Sequence, residues 1–231
     1  MNVMHLLTRW IFIILIPILL LSGTIAWAFN SLWIYENGFV KYDVGQALGI
    51  SSAELNISAS KLIDYFNNPH QEYLGINVTY NNGVTAPLYD QADILHMKAV
   101  KDLIWVDYGL LLFAAIYSLV YILANAIWSK RNGRRDIGLG SAWGGGLTVT
   151  VICFLGIFVV TSFNSFFITF HEMFFPEGNW QFLPGDHMIT LFPDGFWSNT
   201  TTLVGTVTLV LGILVWCVGF ALLRTDKRRL T

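Results

Sequence analysis

The sequence predicts an all-α membrane protein: four transmembrane helices, both termini cytoplasmic, and a small α+β extracellular cap between the first and second helices. Three observations carry this. Hydrophobic residues make up 55% of the chain and charged residues 12%, with positive mean hydropathy, a balance that a soluble domain of this length does not have. Four apolar runs, at about 10–33, 103–128, 139–163 and 200–223, each reach the ~20 residues needed to cross a ~30 Å hydrocarbon core. Because lipid offers the backbone no hydrogen-bond partners, such runs must be helical. Finally, Arg9, the Lys130/Arg131/Arg134/Arg135 cluster and the Arg224/Lys227/Arg228/Arg229 tail fall on one side of a four-span topology. The excess of basic residues marks that side as cytoplasmic.

The first run also has the look of a signal peptide, since Ala26-Trp27-Ala28 is a small-x-small site. Its apolar stretch exceeds the ~7–15 residues of a signal h-region, so an uncleaved anchor is expected. Cys153 and Cys217 both fall within spans, which assigns them to packing and not to an outer disulfide. The third run is studded with small residues, Gly140/Gly144, Ser141/Gly145 and Ala142/Gly146, at the i,i+4 spacing that lets helices approach closely.

The extracellular cap, 34–102, is too short for a large independent core. Ser51-Ser52-Ala53-Glu54 has the form of a capping box, and Leu55, Ala59, Leu62, Ile63 and Phe66 recur at helical spacing until Asn67-Asn68-Pro69. Two short extended runs, 76–80 and 84–88, flank Asn81-Asn82-Gly83 and predict a hairpin. Asp90, with Asp93 three residues on, then starts a helix that runs into the second span without a Pro or Gly and carries His96. Lys98, Lys101 and Asp102 are expected to keep this part solvated.

The outer loop at 164–199 is the segment richest in chemistry. From Phe170 to Trp197 it has no Lys or Arg, several Phe and Trp, and His171, Glu172, Asp186 and His187. Aromatic rings anchor at the membrane–water boundary, where ionisable groups remain reachable. The third span is expected to continue to Phe170, with Pro176 and Gly178 forcing a turn, and Met188–Phe192 forms a short apolar segment closed by Pro193-Asp194-Gly195.

Of five histidines, His5 and His70 read as solvated, leaving His96, His171 and His187. Two imidazoles at one interface can serve as base and acid in a single reaction, or hydrogen-bond there without chemistry. His171-Glu172 begins like a zinc helix, but Phe175 stands where the second histidine is required. Neither a Gly-x-Ser-x-Gly elbow nor a phosphate-binding loop is present.

Several stretches are similar to a known family. Phe170-His171 through Phe174-Phe175-Pro176, Trp180-Gln181-Phe182, and Leu191-Phe192-Pro193 to Phe196-Trp197 resemble the second outer loop of lipoprotein intramolecular transacylases, integral membrane proteins of Gram-positive bacteria. His96-Met97-Lys98-Ala99-Val100-Lys101 resembles that family's first histidine motif, preceded by Tyr65-Phe66. The likeness covers nearly the whole chain and departs at Ala99 and Leu183, where the family pattern has acids.

The resemblance implies an enzyme of the bacterial cell membrane, acting on diacylglyceryl-modified lipoproteins at the extracellular face. The sn-2 acyl chain would move to the α-amine of the N-terminal cysteine. It implies His96 and His171 as catalytic residues, with the assignment of base and acid open, and Phe174, Phe175, Trp180 and Phe182 as a wall for acyl chains. Lys101 reads either as an oxyanion donor or as a solubilising charge on the cap helix. No cofactor, metal or nucleic acid is implied; the partners are lipoproteins and membrane lipids. Two other readings stay open: a lipid hydrolase using water at the same site, and a non-enzymatic lipid- or partner-binding protein.

Overall fold

The computed structural model describes residues 3–127 and 133–227. Lys130, Arg131, Arg228 and Arg229, which enter the charge argument, lie outside the described residues. Four helices are long and apolar enough to cross a membrane: α1 (Val3–Phe29), α5 (Gln91–Ile127), α6 (Gly133–Thr161) and α9 (Asp194–Lys227). Between α1 and α5 come α2 (Leu32–Lys41), α3 (Val44–Leu48), α4 (Ser52–Asn67) and a two-stranded antiparallel sheet, β1 (Asn77–Thr79) and β2 (Thr85–Pro87). Between α6 and α9 come α7 (Phe163–Phe174) and α8 (His187–Leu191). The chain forms two compact units, one of Met1–Ile25, Asp107–Phe158 and Thr202–Thr231, the other of Ala26–Val106 and Val159–Thr201.

The first unit is built on close helix approach. A methyl group at Gly145 would stand 2.5 Å from the Trp216 amide nitrogen and 2.8 Å from the Gly212 carbonyl oxygen. Gly140 and Gly144 instead face the Phe12 and Ile16 side chains of α1. The spacing predicts close approach, which is present; the structure adds that the small-residue stripe of α6 is split between two neighbours. Phe12 stacks on Tyr121 at 4.3 Å, with Ile16 beside them. Thr24 and Thr208 share a buried 2.8 Å hydroxyl contact. His5, expected to be solvated, instead lies 3.2 Å from Asp136, which also pairs with Arg9 at 3.3 Å.

In the second unit, local chemistry sets each boundary. Ser51 caps α4 by accepting from the Glu54 amide at 3.2 Å. The Glu54 carboxylate does not close the capping box back onto Ser51; it accepts the Thr79 amide at 2.9 Å and ties β1 to α4. The hairpin register pairs Val78 with Ala86, and Gly83 supplies the positive φ of 85° that the turn needs. Asp90 and Asp93 accept from each other's amides at 2.9 and 3.1 Å, a reciprocal start for α5.

Three expected boundaries move. The first apolar run extends to Trp33 in sequence, but α1 stops at Phe29, where the Asn30 side chain bonds back to the Ala26 carbonyl at 2.8 Å. Asn competes in this way for the last carbonyls of a helix, so Trp33 falls in the first turn of α2. The third span does not continue to Phe170: Ser162, at φ −156° and ψ 69°, breaks it, and α7 is a separate helix. Pro193-Asp194-Gly195 does not simply close a short apolar segment, because α9 begins at Asp194 directly after Pro193.

Replacing Gly145 by Leu is expected to destabilise the detergent-solubilised protein by about 1–3 kcal/mol, because the obstructing atoms are backbone and cannot turn away. Gly156, with no atom within 4 Å of an added Cβ, is the control; its alanine variant should melt within a degree or two of the parent.

Candidate active site

The functional side chains gather in the second unit. At 37 residues, α5 is about 55 Å long, nearly twice the hydrocarbon thickness. His96 therefore sits two turns ahead of the apolar stretch that begins near Leu103. His171 lies on the last turn of α7. The two imidazole rings are 6.1 Å apart, centroid to centroid, and inclined by 23°.

Aromatic rings enclose the pair. Phe175 and Phe182 meet the His96 ring edge-on at 5.1 and 5.4 Å, and Trp180 lies 5.0 Å from His171. Phe167 lies against His171 at 3.9 Å. Both histidines line a cavity of about 90 Å³ with Tyr35, Phe66, Met97, Phe192, Trp197 and Asp194 among its walls. That volume is well below the ~300–1,000 Å³ of sites that swallow a drug-sized ligand. It has room for a small group and not for a long chain.

The state of His171 follows from its partner. Its Nδ1 lies 2.8 Å from the Phe167 carbonyl oxygen. A carbonyl only accepts, so Nδ1 carries the proton and Nε2 keeps its lone pair. Burial lowers the basicity of His171 below the usual imidazole value, with the Phe167 bond a smaller opposing effect. His96 is 7% exposed, and burial brings its pKa down to about 4; the nearby His171 ring adds to this and the adjoining Asn179 amide opposes it. His96 Nδ1 and Asn179 Oδ1 are both buried without a hydrogen-bond partner among the described residues. At neutral pH the site thus holds two uncharged imidazoles and unspent hydrogen-bonding capacity.

The other expected site residues divide. Trp180 and Phe182 line the cavity, Phe175 is buried against His96, and Phe174 is exposed with its ring 4.8 Å from Phe170. Lys101 is neither solvated nor at the cavity wall. It is 6% exposed; its ammonium donates to the carbonyls of Asn68 at 2.5 Å and Gln71 at 2.6 Å and stands 4.4 Å over the Tyr65 ring. Trp105 donates to the Phe66 carbonyl at 3.0 Å and the Tyr65 hydroxyl to the Glu72 carbonyl at 3.1 Å. These side chains answer the carbonyls left open where α4 ends. A cation bound this way is a clamp between α5 and the α4 exit, which its sequence neighbours Lys98 and Asp102, an exposed pair at 2.9 Å, disguise.

His187 lies outside the cavity wall, its Nδ1 2.7 Å from the Leu88 carbonyl. Asp93 is fully buried and bonded to the start of α5; desolvation raises its pKa. Glu172 is exposed and Asp186 accepts from the Leu183 amide at 2.6 Å. Among the described residues, no three His, Cys, Asp or Glu side chains converge as a metal site. Phe167, Asn179 and Asp194 were not anticipated from sequence. Phe167 was accessible, being four residues before His171 on one helix face; Asn179 and Asp194 reach the site only through the turns around Gly178 and Pro193.

A multi-pass helical membrane protein with a neutral imidazole pair in an aromatic cavity is the class that fold and site define. The chain belongs to the lipoprotein intramolecular transacylase Lit family, which it matches over residues 10–197. Its fold is similar to that of the membrane-integral lipoprotein intramolecular transacylase Lit from Bacillus cereus, with a TM-score of 0.78 at 17% identity over 99% of each chain. A variant of that protein with a histidine replaced by arginine gives a TM-score of 0.73 at 14% identity, over 98% of this chain and 95% of that one. An uncharacterized protein of Aquifex aeolicus (strain VF5) is 27% identical over 131 residues, 57% of this chain; the match spans 56% of that curated relative's length.

Two stability measurements probe this geometry. Because the folded-state pKa of His96 is lowered to about 4, the unfolded chain takes up a proton near pH 6.5 that the folded chain refuses. Stability is expected to fall as pH drops below 6.5 and to level off below about 4; His96→Gln should flatten that dependence, and an unchanged slope would show that the ring is not desolvated. Lys101→Met should cost about 1–3 kcal/mol by leaving the buried end of the clamp without a donor at the Gln71 carbonyl, while the Asn68 carbonyl keeps the Gln71 amide at 3.3 Å, read as a lower Tm.

Proposed function

We propose that the chain carries out intramolecular acyl transfer in bacterial lipoproteins, moving the sn-2 acyl chain of an S-diacylglyceryl group to the α-amine of the N-terminal cysteine. The observation that carries this reading is the pair of neutral imidazoles, 6.1 Å apart, in an aromatic cavity with one ring nitrogen free to take a proton. Attack of the amine on the ester within one molecule closes a ring of about eight atoms, so holding the head group folded supplies much of the rate.

In this reading His171 is the base. Its Nε2 accepts a proton as the amine bonds to the ester carbonyl carbon, and the imidazolium returns that proton to the glycerol oxygen as the C–O bond breaks. His96, too weakly basic to be charged at neutral pH, donates a hydrogen bond from a neutral ring to the developing oxyanion. Trp180, Phe182 and Phe175 exclude water around the ester, while the acyl chains run out into lipid. Amide and alcohol replace amine and ester with no net change in protons, and no cofactor is required.

The charge asymmetry of the sequence supports cytoplasmic termini, with the cap at 34–102, the loop at 164–199 and the site on the extracellular face. The substrates are then diacylglyceryl-modified lipoproteins reached from the outer leaflet, and the product is the N-acyl S-monoacylglyceryl form.

Mass spectrometry of the N-terminal lipopeptide of a co-expressed lipoprotein tests this. Wild type should leave total mass unchanged with one acyl chain on the amine, and His171→Ala and His96→Ala should each reduce transfer by about 10²–10⁴-fold. An unmoved chain with wild type would refute transfer, and loss of one acyl mass would indicate a hydrolase. With purified protein, kcat/KM should fall below the substrate amine's pKa of about 7.7–8.0 and fall more steeply below pH 6.5, where the two buried rings take up protons; no steepening down to pH 4 would exclude His171 as the base.

A further inference from the structure

The cavity has one charged group in its wall. Asp194, the first residue of α9, lines it together with His96 and His171. Among the described residues it forms no ion pair. A carboxylate at a helix start has an ordinary explanation in the helix dipole. A second observation lies in the same wall: His96, 7% exposed, has a buried Nδ1 without a well-formed hydrogen bond, beside the equally unpaired Asn179 Oδ1, so this wall holds polar groups not fully satisfied among the described residues.

The surroundings indicate the sign of what enters. The second unit has twelve acids against four lysines and no arginine. None of the lysines reaches the cavity: Lys101 is spent on carbonyls, Lys98 on Asp102, Lys41 stands over the Tyr42 ring, and Lys61 lies on exposed α4 surface. A cationic head group therefore meets one carboxylate, two neutral imidazoles and no competing positive charge.

We propose that Asp194 receives the α-ammonium of the substrate's N-terminal cysteine, making a free amine the feature by which the site recognises its substrate. This rests on the acyl-transfer reading above and extends it to specificity. A free α-amine has a pKa of about 7.7–8.0 and arrives mostly protonated. The carboxylate holds it at the cavity mouth; one proton passes to water, one moves through His171 to the glycerol oxygen, and one stays on the amide nitrogen. A lipoprotein already acylated on nitrogen offers no charge to Asp194 and is turned away.

The test is binding without turnover, in a His171→Gln background, using a synthetic S-diacylglyceryl-cysteinyl-serine peptide amide and its N-acetylated counterpart in detergent micelles. Asp194 is exposed at the cavity mouth, so the free-amine form should bind about two- to fivefold more tightly. Asp194→Asn, which keeps the side-chain shape, should abolish that preference, and Asp194→Glu should retain most of it. A role confined to the helix dipole would lower Tm in Asp194→Asn without changing the ratio of the two affinities. Absence of any preference in the parent, or its persistence in Asp194→Asn, overturns the assignment. Acyl migration in the wild-type protein is read separately, so a free-amine preference without migration would refute the transfer reading and leave Asp194 as an amine-recognition residue.

Discussion

The hydrogen bond between His171 Nδ1 and the Phe167 carbonyl is the interaction on which the chemistry of this site depends. It fixes the tautomer, the rotamer and the free nitrogen of one imidazole in a single contact. It arises within one turn of α7, since residues four apart lie on one helix face. Phe167 lies inside α7 and not among its last open carbonyls; a carbonyl oxygen has two lone pairs, so it can take the ring N–H as well as a ladder bond. The break at Ser162, unforeseen from hydropathy, starts α7 afresh and puts His171 on a helix separate from α6. A helix continuous with α6 would have its own course and its own end.

His96 is governed by a different constraint. Its depressed basicity is a matter of exclusion: Phe175 and Phe182 pack edge-on against the ring and little water reaches it. Keeping one ring pinned and the other desolvated makes two chemically distinct histidines from one residue type. The same principle separates paired titratable groups in known catalytic sites, where environment and not identity divides the roles.

Holding α5 and α4 in register for this purpose requires unusual support. The turn after α4 exposes carbonyls at Phe66, Asn68, Gln71 and Glu72, and Trp105, Lys101 and Tyr65 answer all four. A lysine ammonium in that position is worth more than a surface charge because it is hydrogen-bonded, stacked over Tyr65 and shielded from water. Glu54 does the same for the hairpin from the other end of α4.

The four long helices, the capped α4, the Asn-Gly hairpin and the Asp90/Asp93 start of α5 were legible in the sequence by itself, because each rests on local periodicity or on groups within about four residues of one another. So were His96 and His171 as the histidines of interest, through their family-like motifs and not through any spacing. Only the tertiary structure decided that their rings meet, that Lys101 turns inward to carbonyls some thirty residues away, and that Asn179 and Asp194 join the site. Those outcomes depend on where two turns, at Gly178 and Pro193, direct the chain and on which buried groups find partners. That is a property of the whole packing, with no trace in the order of neighbouring residues.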